Sequence, residues 1–160
     1  MIYKKSWKYI LVKNNHTNHR HKACYRIKSL KNFSDVSKGN LGGYVSKGDL
    51  GGYVMNYHNL SQKGNCWVYN EAIVKNNAKV SENAIISNSA IIKEHAQVTG
   101  NAVIFDEAMI YGNAQISGNA LVYGFTHIYG NAKVCDNAKV YGYAQVFEST
   151  RICGNTKVFI

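Results

Sequence analysis

No proline occurs in the 160 residues of this chain, and no apolar run approaches the roughly 18 residues that a membrane span requires. The first residues, Met1-Ile2-Tyr3-Lys4-Lys5-Ser6-Trp7, lack the apolar core of a secretory signal, so a cytoplasmic protein is expected. Cysteine is scarce: Cys24, Cys66, Cys135 and Cys153 make no CxxC pair, which argues against a zinc ribbon and against a disulfide scaffold. Free thiols are the expectation; Cys135 and Cys153 share one repeat position, close enough for contact, and two free surface thiols are favoured there over a redox pair. Acidic residues are few where basic ones are many. Residues 1–50 hold eleven Lys/Arg against two Asp/Glu, a balance of +9, whereas residues 51–160 hold eight against seven, a balance of +1. Such a one-sided field favours an anionic partner: nucleic acid, a signalling nucleotide or an acidic protein surface. The residues that would meet it are Lys4, Lys5, Lys8, Arg20, Lys22, Arg26, Lys28 and Lys31. The competing reading is a solvated basic face that serves solubility.

What is present is apolar and periodic. Forty-six per cent of the residues are hydrophobic, enough for a core in one domain. Residues 7–13 and 23–30 are rich in aromatic and β-branched side chains and flank a polar stretch, a pattern that predicts the two strands of a hairpin. Within and after that stretch, His16, His19, His21 and Cys24 could present soft ligands to Zn²⁺ or Ni²⁺, although the spacing matches no metal motif and a solvated loop is the plainer reading. A direct duplication follows: Val36-Ser-Lys-Gly-Asn-Leu-Gly-Gly-Tyr44 and Val45-Ser-Lys-Gly-Asp-Leu-Gly-Gly-Tyr53. The Gly pairs point to positive φ or close backbone approach, and neither copy has the Gly-Lys-Ser/Thr ending of a phosphate-binding loop.

From Asn65 to Ile160 the chain is sixteen hexapeptides. The fourth position is Val or Ile in all sixteen, and the second is Ala in twelve, with Cys66, Thr126, Thr150 and Thr156 as exceptions. Asn at the first position and Gly at the sixth suit corners, where left-handed or bridging backbone is needed. This pattern resembles the hexapeptide-repeat superfamily. The resemblance implies an all-β fold, a left-handed parallel β-helix in which three hexads make one triangular coil. Three regions are expected: a basic N-terminal β-hairpin region (1–35), a Gly-rich duplicated segment leading into the solenoid (36–64), and the β-helix itself (65–160). Leu50-Gly-Gly-Tyr-Val54, Asn59-Leu-Ser61 and Gly64-Asn-Cys-Trp-Val-Tyr69, followed by the hexads, are also similar to a group of phage and prophage proteins often labelled transferases, which carry no established activity.

Eighteen residues per coil sort the outward side chains onto three faces, two of them apolar. One carries Trp67, Ile85, Val103 and Leu121 with Phe105 and Tyr123; the second carries Ile73, Ile91 and Met109 with Tyr111, Tyr129 and Phe147. In a monomer they would form an oversized apolar patch, so a homo-oligomer, a trimer by resemblance, or the hairpin folded along one face is expected to cover them. The tract stops with its sixteenth hexad at Ile160, which raises end-to-end association or a filament as a further expectation. The superfamily also implies acyl transfer from acyl-CoA, with His127 and then His95 as candidate general bases. No carboxylate is evidently placed to orient His127. A non-catalytic oligomeric scaffold that binds an anionic partner, in a phage setting a nucleic acid or a component of host defence, is the reading favoured over acyltransferase and filament.

Overall fold

The computed structural model describes residues 6–13, 19–34 and 43–160. Strands β1 (Tyr9–Val12) and β2 (Tyr25–Ser29) pair antiparallel, Tyr9 opposite Ser29 and Val12 opposite Arg26, as the hairpin pattern predicts. After a short ladder between β3 (Phe33–Ser34) and β4 (Tyr44–Val45) comes β5 (Leu50–Val54), antiparallel to β2 and parallel to the strand Ile73–Val74. From there every strand is parallel to its neighbour one coil away, and the chain builds a three-sided β-solenoid. One face stacks the strands that begin at Trp67, Ile85, Val103, Leu121, Lys139 and Lys157. The second stacks β5 with those that begin at Ile73, Ile91, Met109, His127 and Gln145, and the third those at Lys79, Gln97, Gln115, Lys133 and Arg151. Partners lie three hexads apart in sequence, as in Ile91 with Met109 and Met109 with His127. This is the architecture expected from the hexads.

The core explains the constraint on the second and fourth positions. The Ala at each second position and the Val or Ile at each fourth are buried from Ala72 to Ile152, and they stack as continuous columns inside the prism. Thr126, at a second position, is fully buried and its Oγ1 has no partner among the described residues. A buried unpaired hydroxyl costs free energy that an apolar group of the same shape does not. Thr126→Val is therefore expected to raise stability by about 1 kcal/mol in denaturant unfolding, while an unchanged or lower midpoint would mean that the hydroxyl is satisfied.

The corners divide labour differently from the sequence expectation. The sixth residue of every hexad from Asn70 to Gly154 has a φ between +54° and +77°. Where it is not Gly it is Asn, Asp or Glu, and four of the acids face a Gly on the next coil. Glu82, Glu94, Asp106 and Asp136 accept hydrogen bonds from the N–H groups of Gly100, Gly112, Gly124 and Gly154 at 2.7–3.1 Å. The first-position Asn residues do not take the left-handed conformation. They form side-chain ladders instead: Asn83, Asn101, Asn119, Asn137 and Asn155 pass amide hydrogen bonds of 3.0–3.3 Å from coil to coil.

The solenoid begins before the hexads. Tyr53 pairs with Ile73 and Leu60 with Val80, a spacing two residues longer than that between hexad partners, so the first coil carries two extra residues. Asn59 makes this irregular coil possible. Fully buried, its Oδ1 accepts from the N–H groups of Met55 and Asn56, and its Nδ2 donates to the carbonyls of Asn76 and Ala78. The hairpin does not simply lie along one face. It extends the second-face sheet beyond β5, and residues 19–24, ahead of β2, lie against that face, where His21 and Cys24 pack on Tyr53 and Arg20 donates to the Ser89 carbonyl.

Candidate functional site

The N-terminal cap buries one of the expected basic residues and leaves others exposed. Lys8 is buried at 4 % exposure, with its Nζ donating to the carbonyls of Cys66 and Gly64, so it offers no charge to a partner. Arg26 donates from Nε to the Gly51 carbonyl at 2.9 Å and lies over the Tyr53 ring, and Lys31 reaches the Ser6 carbonyl at 2.7 Å. Arg20 and the two lysines Lys22 and Lys28 are exposed, while Lys4 and Lys5 fall outside the described residues. Lys63, which its near-neutral surroundings in the sequence did not single out, joins Lys31 at a hollow also lined by Ser6, Phe33, Gln62 and Asn65.

Of the expected soft-metal ligands, the structure describes the side chains of His21 and Cys24, and both pack against Tyr53. His21 is buried, its ring centred 3.9 Å from that of Tyr53 and its Nε2 3.3 Å from Oε2 of Glu71. Cys24 is packed against Tyr53 and Ile73, and burial pushes its thiol above the usual range. His16 and the His19 side chain lie outside the described residues. Among those described, the group within metal-ligating reach is Cys135, Asp136 and Cys153, whose ligand atoms lie within 4.8 Å of one another. There the two cysteines are joined as a disulfide across one coil, with Cα atoms 4.6 Å apart. This corrects the expectation of free thiols: identical repeat positions on successive rungs bring Cβ atoms within bonding reach.

His127 stands half-buried on the second face between Met109 and Gln145, edge-on to Tyr111 at 6.1 Å. The His–carboxylate pair among the described residues is His21 with Glu71, so His127 has no acid to orient it. His95 is exposed at the corner between the second and third faces. It lines an open polar hollow with His58, Asn56, Asn76, Asn77 and Lys79. His58 escaped the sequence reading because its coil is out of register with the hexads.

On the apolar faces the structure splits the expected interface. Trp67, Ile73 and Ile85 are at most 1 % exposed and Val103 is 7 %, already covered within the chain. Tyr9 and Phe33 sit edge-on to Trp67, and Tyr53 covers Ile73. The remaining positions keep accessible surface: Leu121, Phe105, Tyr123, Ile91, Met109, Tyr111, Tyr129 and Phe147 are half-buried or exposed. Their aromatic rings stack along the axis. Phe105, Tyr123, Tyr141 and Phe159 form one column with centroids 4.8–5.3 Å apart and planes within 7° of parallel. Tyr111, Tyr129 and Phe147 form another, capped by the ammonium of Lys93 over Tyr111. Burial first, and then the neighbouring ring, raises the phenols of Tyr111 and Tyr123.

A third column was not anticipated. Phe125 and Tyr143 occupy first positions, where Asn is the rule, and stack at 5.2 Å with 47 % and 67 % exposure. Tyr123-Gly124-Phe125 and Tyr141-Gly142-Tyr143 are consecutive, so two aromatic columns flank one corner whose apex is glycine. The family model described as YdcK beta solenoid repeat matches residues 114–130, a stretch that includes part of this corner. The chain is a β-solenoid repeat protein. No curated protein matches it. In this solenoid the accessible aromatic surface gathers toward the later coils, and the basic surface toward the cap.

Proposed function

We propose that this solenoid is a non-catalytic oligomeric scaffold, trimeric and of phage or prophage origin, that acts in the host cytoplasm and presents its basic N-terminal cap to an anionic partner. The observation that carries the reading is the aromatic corner. Parallel rings stacked from coil to coil cover one another's faces within each column and present a continuous apolar strip, which suits packing against another subunit. The phage setting rests on the resemblance of Leu50–Val54 and Gly64–Tyr69 to phage and prophage proteins. Absence of an acid beside His127 among the described residues favours binding over acyl transfer, and the hairpin that covers the β5 edge disfavours filament growth from that end.

Two measurements test this proposal. Native mass spectrometry of the wild-type chain is expected to give a trimer, and the double variant Phe125→Glu/Tyr143→Glu a monomer, because charges buried in an interface are strongly unfavourable. A wild-type monomer would overturn the oligomer, and a retained CoA-sized mass would replace the scaffold by acyl transfer. For the cap, binding of a single-stranded DNA oligonucleotide is expected to weaken tenfold or more between 50 and 200 mM salt, and to fall in Lys28→Glu/Lys63→Glu. Affinity flat in salt would remove the electrostatic partner.

A further inference from the structure

Lys8 is a buried lysine without a carboxylate. Among the described residues no acid pairs with it; its Nζ instead contacts the Cys66 carbonyl at 2.8 Å, the Gly64 carbonyl at 3.2 Å and the Cys66 sulfur at 3.3 Å. Cys66 is fully buried at a second position that Ala occupies in twelve hexads, so packing alone does not require sulfur there. The two carbonyls hold the nitrogen in place against the sulfur, and the hollow lined by Lys31, Gln62 and Lys63 brings solvent, and any gas dissolved in it, to Lys8.

We propose that Lys8 and Cys66 are a redox modification site, at which molecular oxygen joins the amine and the thiol through a single bridging oxygen as an N–O–S cross-link. The step balances. The amine gives up one hydrogen and the thiol its own; one oxygen atom becomes the bridge and the other leaves as water with both hydrogens. Nitrogen and sulfur lose two electrons each, and dioxygen takes all four. At 3.3 Å a one-atom bridge closes the gap with little movement, whereas a direct N–S bond would need a much closer approach. Burial, the largest influence on both partners, lowers the lysine and raises the cysteine, and so favours the neutral form of each. The bond would link residues 58 apart and tie the segment entering β1 to the first regular hexad. Cross-linking a loop of that length restrains the unfolded chain.

The test uses the full chain prepared without oxygen under reductant and then held in air-saturated buffer. Peptide mapping without reduction is expected to find the Lys8 and Cys66 peptides joined, at their summed mass plus one oxygen less two hydrogens. Dithiothreitol is expected to return the separate peptides and to lower the unfolding temperature by several degrees. Because Cys135–Cys153 also responds to reductant, the thermal comparison is made in Cys135→Ser/Cys153→Ser as well. Lys8→Arg should abolish the linked peptide, a result that a purely structural lysine would not produce. A peptide map without the link after prolonged aeration, or Cys66 oxidised to sulfinic acid with Lys8 free, would overturn the site. A link lacking the extra oxygen would overturn the bridge. The wild-type peptide map decides even if a variant fails to fold.

Discussion

Gly52→Ala is expected to destabilise the protein by about 3 kcal/mol, while Gly43→Ala, the same substitution in the other copy of the duplicated nonapeptide, should fall within about 0.5 kcal/mol of wild type. A Cβ on Gly52 would lie 2.7 Å from both the Ala72 carbonyl oxygen and Val68 Cγ1, and 3.0 Å from the Tyr69 carbonyl. Two of those neighbours are backbone oxygens of the next coil, which cannot yield without breaking the ladder that starts the solenoid. On Gly43 the same Cβ would meet nothing within 4 Å. The prediction runs against repeat statistics, since Gly52 precedes Tyr53 and Val54 as a second-position residue, where Ala is the rule in the hexads. Chemical denaturation of the two variants side by side decides it: equal midpoints would mean that the first coil tolerates the methyl group and that the Gly pair serves only flexibility.

Asn59→Ala should be of similar weight, about 3 kcal/mol, because it leaves the part-buried Asn56 N–H and the Asn76 and Ala78 carbonyls without their side-chain partner, while the Met55 N–H keeps the Val74 carbonyl. Asn59→Asp separates the two halves of that role. An aspartate would still accept from Met55 and Asn56, but it would set a negative charge against the Asn76 and Ala78 carbonyls, so little or no rescue is expected. Hydrogen exchange localises the effect: amides of the first coil should lose protection before those of the coils beyond Ile91, because coils in a solenoid contact only their neighbours. Uniform loss across all coils would mean that Asn59 supports the whole prism and not the coil it closes.

The faces were readable because each coil is a whole number of hexads, and the register is carried by residues that repeat the same inward chemistry. Ile104 is buried between Ile86 and Val122, and all three are branched and apolar because they fill the same interior column. The candidate site was less legible. Phe125 and Tyr143 were passed over because first positions were assigned to corner-forming Asn, and two aromatic exceptions become a column only when stacked. Trp67 and Ile73 were placed correctly on their faces, yet nothing local in the sequence says that Tyr9, Phe33 and Tyr53 will cover them.

The hexads determined the two inward positions through periodicity repeated sixteen times, and with the superfamily resemblance they carry, the three-sided parallel solenoid and the side chains of each face. Only the tertiary structure decided the rest. Two nonapeptides that differ at one residue have opposite fates, Tyr44 64 % exposed and Tyr53 1 %. A lysine counted as part of a basic surface lies buried against a thiol, and two cysteines one coil apart are bonded. Each of these depends on which segment lies against which across a long stretch of chain, and burial is a property of that encounter, not of the residue or its immediate neighbours.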